Sequence, residues 1–136
     1  MKDIIDRISR KFSNPLQKLE RIVRQTGKVN KLKKLIENYP EIKNNINTIR
    51  FKGFTCLHLC CLHGFEDCVE YLLNKVNVDS NVETLEDGST PMHMTCWSGH
   101  LYIILMLSQG PKINISCVNR NGFTPLHYAC AGGYYK

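Results

Sequence analysis

No long apolar stretch occurs in this chain: the longest, residues 101–107, falls far short of the roughly 20 residues that a membrane-spanning helix requires. The opening Met1-Lys2-Asp3-Ile4-Ile5-Asp6-Arg7 interrupts its first apolar residues with charge, which is not the pattern of a secretory leader. The expectation is an intracellular protein, cytoplasmic, with the nucleus as an alternative. Polarity is not extreme either. A charged fraction of 22% against a hydrophobic fraction of 43% excludes disorder over the whole length. A length of 136 residues rules out large multidomain machinery.

Acidic residues are scarce at one end. Residues 1–52 carry fourteen Lys or Arg against five acids, whereas residues 53–136 carry four against seven. The net charge of +6 therefore belongs to the N-terminal part. An even set of cysteines is missing as well: there are seven, so at least one thiol stays unpaired. Without an export signal all are expected to be reduced.

What is present is repetition. Gly53-Phe54-Thr55-Cys56-Leu57-His58 recurs as Gly88-Ser89-Thr90-Pro91-Met92-His93 and as Gly122-Phe123-Thr124-Pro125-Leu126-His127, at spacings of 35 and 34 residues. Gly64, Gly99 and Gly133 each follow the opening glycine by eleven residues, and Cys61, Cys96 and Cys130 by eight. On these residues the chain resembles the ankyrin repeat family, whose unit is a β-turn finger and two antiparallel helices with a T-P-L-H signature. The resemblance covers a first unit at 53–86, a second at 87–120 and the first half of a third at 121–136. It implies an all-α solenoid of stacked helix-turn-helix units with β-turn fingers. Cys56 stands where the signature has proline, and Met92 where it has leucine. Each full unit is slightly long, and the extra residues fall in 78–85 and 113–119, where a loop tolerates insertion.

The motif has its own physical logic. Thr90-Pro91 and Thr124-Pro125 place a hydroxyl at the N-cap and proline at the first helical position, where its missing N–H costs nothing. Leu57, Leu59, Cys60 and Cys61 are expected on the inward surface of the first helix. Gly64 opens the turn into a second helix, on which Val69, Leu72 and Leu73 form a stripe. Its counterpart at 103–107 is apolar almost all round, which predicts cover on both sides. A lone unit cannot bury such faces, so stacking supplies the core. Residues 14–52 read as a degenerate capping repeat. There Asn14-Pro15 starts a helix over 16–24, Gly27 makes the turn, and Leu32, Leu35 and Ile36 mark a second helix that stops at Tyr39-Pro40. At the other end, Gly132-Gly133-Tyr134-Tyr135-Lys136 arrives where a second helix is due. Further repeats C-terminal to residue 136, or a partner covering this flank, are expected.

Several residues with reactive or ligating side chains also fit packing roles. Cys56, His58, Cys60, Cys61, His63 and Cys68 contain zinc-ligand types. However, His58, His93 and His127 fill one repeat column and Cys61, Cys96 and Cys130 another. Cys60 and Cys61 are also adjacent, about 100° apart on a helix. Cys117 and His100 lie outside the columns without an orienting third group. No Gly-rich phosphate loop lies between a strand and a helix. The expectation is a chain without catalytic residue, metal or cofactor. The lysines of 28–34 alternate with Val29 and Leu32, as on the solvated face of a capping helix, with an electrostatic partner site as the alternative. Residues 1–13 form a basic amphipathic segment, Ile4, Ile5, Ile8 and Phe12 opposite Lys2, Arg7, Arg10 and Lys11. It packs on the cap, frays, or lies on an anionic membrane.

The resemblance also implies a partner-binding surface of finger tips and first-helix positions. Transferred column by column, the finger residues are Phe51, Lys52 and Phe54; Glu86, Asp87 and Ser89; and Arg120, Asn121 and Phe123. The helix residues are Leu62 and His63; Trp97 and Ser98; and Ala131 and Gly132, with Met94 and Tyr128 beside them. Aromatics and Arg are enriched in binding hot spots, although Phe54 and Phe123 would also serve as packing between fingers. The expected function is a non-catalytic protein interaction module, the N-terminal part of a longer intracellular protein, with another protein as its partner. Two alternatives stand beside it. One is recruitment of substrates for a larger enzyme such as a ubiquitin ligase or an acyltransferase. The other is binding of nucleic acid or anionic membrane by the basic N-terminal region.

Overall fold

The computed structural model describes residues 15–110 and 113–133. The segment 1–13 and the expected cap Asn14 lie outside these residues, as do Tyr134, Tyr135 and Lys136. The chain is helical at residues 15–21 (α1), and a π turn, Ile22–Thr26, prolongs this helix to Gly27. Then follow α2 (Val29–Asn38), α3 (Pro40–Asn44), α4 (Cys56–His63), α5 (Glu66–Tyr71), α6 (Pro91–Ser98), α7 (Leu101–Ser108) and α8 (Pro125–Ala131). A second π turn, Leu72–Val76, prolongs α5. Among the described residues the β structure is limited to an isolated antiparallel bridge between Phe51 and Phe54.

The helices form two rows. The end of α1, then α4, α6 and α8 pack on one another in that order as an inner row, and α2, α5 and α7 form an outer row. This is an all-α solenoid. Burial follows position in the stack. In α4 every residue from Cys56 to Cys61 is buried, so the expected single inward surface is instead burial on all sides, between α1, α5 and α6. In α2, Leu32, Leu35 and Ile36 are buried while Lys31, Lys33 and Lys34 face solvent. On α7 only Ile103 and Leu107 are buried, and Leu101, Tyr102 and Leu105 are 67%, 53% and 50% exposed. The cover expected on both sides of α7 is therefore present on one, because the main packing of α7 is on α5 and α6.

Two features were not expected. Pro40 restarts the chain as α3 after Tyr39 leaves the helical region at φ −128° and ψ 82°, as the residue before a proline tends to do. The π turns widen the ends of α1 and α5, a deviation that the apolar spacing does not reveal.

The fingers, which lead from one helix pair to the next, are tied by backbone. Thr84 N–H donates to the Ser89 carbonyl at 2.9 Å and Asn119 N–H to that of Phe123 at 3.0 Å, closing single fingers. Leu85 N–H donates to Gly53 O at 3.2 Å and Arg120 N–H to Asp87 O at 2.7 Å, joining each finger to the one before. Arginines add lashings: Arg24 donates to Phe51 O at 3.0 Å, and Arg50 donates to the carbonyls of Gly53 and Glu83. The Nε of Arg50 is buried and makes no hydrogen bond.

Two helix-closing glycines also seat the neighbouring unit. Gly27 and Gly64 hold φ of +60° and +73°, and a Cβ on them would lie 2.4 Å from the Phe65 ring and 2.5 Å from the His100 ring. Strain and collision therefore coincide. Gly64→Ala is expected to lose about 2–4 kcal/mol in urea unfolding. Gly122→Ala, with φ +82° and nothing near its Cβ, is expected to lose only about 1–2 kcal/mol; equal losses would refute the seating role.

Candidate functional site

The signature histidines set the position of the fingers. Thr55 N–H donates to His58 Nδ1 at 3.2 Å, so the ring proton sits on Nε2, which donates to the Ser89 carbonyl at 3.0 Å. His93 repeats the arrangement, with Thr90 N–H 3.0 Å from its Nδ1 and its own Nε2 2.9 Å from the Phe123 carbonyl. Each imidazole thus joins a helix N-terminus to the finger of the following unit. His127 accepts from Thr124 N–H at 2.9 Å, and its Nε2 meets no carbonyl among the described residues. Pro91 and Pro125 occupy the first helical positions, and Gly99 and Gly133 hold φ of +74° and +87° at the helix ends.

Beside this column the second and third fingers share a polar network. Thr84 Oγ1 donates to Asp87 Oδ1 at 2.7 Å, and Ser89 N–H to the same oxygen at 3.1 Å. The Tyr128 hydroxyl donates to Asp87 Oδ2 at 3.1 Å, and Asn119 Nδ2 donates to that hydroxyl at 2.9 Å and to Ser89 Oγ at 3.2 Å. Burial opposes ionisation of Asp87, but the hydrogen bonds from Thr84, Ser89 and Tyr128 outweigh it and hold the carboxyl below its usual range.

Tyr128 is also the hub of an aromatic cluster. Its ring lies 5.1 Å from His93, 6.2 Å from Trp97 and 6.4 Å from Phe123 between centroids, within the range of favourable edge and tilted contacts. Tyr128, Trp97 and Phe123 line a groove of about 590 Å³ with Lys52, Gly53, Phe54, Leu62, Thr84, Glu86, Asp87, Met94, Asn121, His127 and Ala131. Trp97 is 49% and Phe123 46% exposed. Phe54 is half-buried, its ring 6.3 Å from His58.

Several residues expected in this surface lie elsewhere. Phe51 is buried, because its bridge to Phe54 turns it into the core. Ser89 is fully buried, its carbonyl held by His58 and its hydroxyl by Asn119 and Tyr128. Arg120 is exposed, but its guanidinium donates to the carbonyls of Leu85 and Glu86 at 2.8 and 3.0 Å, outside the groove lining. His63 stacks on Phe65 at 5.6 Å instead. Ser98 and Gly132 are half-buried and also outside the lining. Conversely, Gly53, Thr84 and His127 line the groove without having been anticipated there. For Thr84 the signal was its place as the finger-closing residue, equivalent to Asn119.

The cysteines follow the stack. Cys56, Cys60, Cys61, Cys68 and Cys96 are buried, Cys117 is half-buried and Cys130 is exposed. Burial pushes the thiols of Cys56 and Cys61 up to about 12. Among the described residues no group of three or more His, Cys, Asp or Glu is placed to hold a metal ion. None of the described helices is long and apolar enough to cross a membrane.

The profile of the family of ankyrin repeats (3 copies) matches residues 19–117 and 79–136. The chain belongs to the ankyrin repeat family. It is similar to alpha-latrotoxin-Lh1a of Latrodectus hasselti, 34% identical over 90 residues that make up 66% of this chain and 7% of the toxin. It is also similar to the tyrosine-protein kinase HTK16 of Hydra vulgaris, 32% identical over 105 residues, 76% of this chain and 14% of the kinase. Rabankyrin-5 of Mus musculus is 38% identical over 82 residues, 60% of this chain and 7% of that protein. The ankyrin segment thus spans a small part of each of these relatives. Ankyrin repeats are in general non-catalytic modules that bind other proteins.

Two outcomes follow from the hydrogen-bonded column and network. Burial lowers the His58 pKa from 6.5 to about 4, so as pH falls the unfolded chain takes up the proton first. Stability from this group is intact above pH 6.5, is lost as pH falls towards about 4, and amounts to about 3 kcal/mol; urea midpoints across that window and the imidazole NMR titration check it. Tyr128→Phe leaves Asn119 and Asp87 short of a partner and is expected to cost about 1–3 kcal/mol, with the Asp87 carboxyl shifting upward in a carboxylate NMR titration.

Proposed function

We propose that this ankyrin segment captures a partner protein in the groove centred on Trp97. The observation that carries this reading is the half-exposed indole standing among Phe54, Leu62, Met94, Phe123 and Tyr128 in a concavity of about 590 Å³. Large apolar side chains left open to water inside a rigid concavity favour insertion of a partner's side chains. The network of Asp87, Ser89, Asn119 and Tyr128 holds the groove floor in place, so little ordering entropy opposes binding. The chain itself carries no catalytic step in this reading. Shape and hot-spot complementarity do the work.

The same proposal takes the chain as the N-terminal part of a longer intracellular protein. The similarity to a tyrosine-protein kinase, of which the match makes up 14%, supports a second form of it. There the groove recruits substrates for an enzyme elsewhere in that longer protein.

A photoreactive aromatic amino acid placed at position 97 tests the groove by cross-linking whatever occupies it. For the partner so identified, Trp97→Ala is expected to weaken binding at least about tenfold, with helicity unchanged by circular dichroism. Salt is expected to matter much less than in a phosphate-backbone complex. An affinity unaltered by Trp97→Ala overturns the proposal.

A further inference from the structure

The outer helices carry a second, open depression of about 710 Å³, lined by the exposed side chains of Lys33 of α2, Lys43 of α3 and Lys75 of the π turn after α5, together with Tyr71 and Asn44. Glu37 is the one carboxylate in its lining. None of the three ammonium groups makes an ion pair among the described residues, where the ion pair present joins Arg24 and Glu20. Like charges gathered in one concavity repel, and the chain does not neutralise them internally. Lys33 is further placed by its contact with the Tyr71 ring, 5.6 Å from Nζ to the centroid. Burial and then the charge of Glu37 raise the Tyr71 pKa, which keeps the phenol a donor.

The shape of the charge selects the ligand. Asp67 and Glu70 line an adjoining depression that shares Lys33, Tyr71 and Lys75. A long strand with regularly spaced phosphates would meet these carboxylates, whereas a compact anion confined to the lysine cavity would not. The volume falls within the range of small-molecule sites, and lysine serves as a point-charge phosphate binder. We propose that this cavity binds a compact polyphosphorylated anion, as a free soluble molecule or as a lipid headgroup, with Lys33, Lys43 and Lys75 supplying the charge and Tyr71 and Asn44 further hydrogen bonds. The site is separate from the groove and does not depend on it.

The test uses the full chain, two probes and a single-stranded RNA oligonucleotide for comparison, at near-physiological salt. Inositol hexakisphosphate is titrated by calorimetry. Vesicles of phosphatidylcholine, with and without a few per cent of phosphatidylinositol bisphosphate, are tested by co-sedimentation. The variant Lys33→Gln/Lys43→Gln/Lys75→Gln is compared with Lys18→Gln/Lys28→Gln/Lys31→Gln, which removes the same charge from exposed positions outside the cavity. Binding of at least one probe, weakened about tenfold or more by the first variant and about threefold or less by the second, supports the site. Binding of the soluble probe alone identifies a free ligand, and binding of the vesicles alone a headgroup. Absence of binding to both probes, equal losses in the two variants, or tighter binding of a single-stranded RNA oligonucleotide than of either probe overturns it.

Discussion

The neutral imidazole at the third position of α4 and of α6 is the constraint on which the stack depends. Its Nδ1 is occupied by the backbone N–H that begins its own helix, which leaves one proton, on Nε2, for one acceptor. That acceptor is a finger carbonyl of the next unit, so capping a helix and registering a neighbour are a single event. Because the rings of His58 and His93 are buried, a misplaced finger leaves the Nε2–H donor unpaired away from water, a cost of about 1–3 kcal/mol. The groove inherits its geometry from this. Phe123 and Glu86 are presented where they are because their fingers are held from behind.

Much of the architecture was legible because the determinants repeat. The opening glycines, the Thr-Pro steps and the histidine column each mark a helix boundary or a contact, and recurrence in two or three copies separates such signals from chance. The inner helices were less legible. In α4 burial on every side erases the periodicity that normally tells inside from outside, as Cys56 to Cys61 show. The π turns at Ile22–Thr26 and Leu72–Val76 have no compositional signature. The short α3 is signalled by Pro40, although a proline there reads equally as the end of α2.

Two of the finger residues that column transfer misplaced, Phe51 and Ser89, share one physical reason. Transfer assigns a side chain to a face by its place in the finger, but fingers of unequal length turn differently at their bases. The bridge of Phe51 with Phe54 closes a tighter turn than the pairing of Thr84 with Ser89. Ser89 consequently enters the network while Phe54 remains at the surface. Arg120 met a different competitor. Two carbonyls of the preceding finger lay within reach of its guanidinium, and a charged donor takes such acceptors in preference to an open position.

The distribution of thiols has a consequence of its own. Four cysteines are sealed in the first full unit, one is buried in the second, one is half-covered in the loop that follows, and one lies open on α8. Reactivity towards an alkylating reagent is thus graded along the axis of the stack, with the slowest sites where local opening demands the most disruption. Labelling times at the seven positions would record the order in which the units come apart. The molecule carries its own chronometer of unravelling, written in ordinary cysteines.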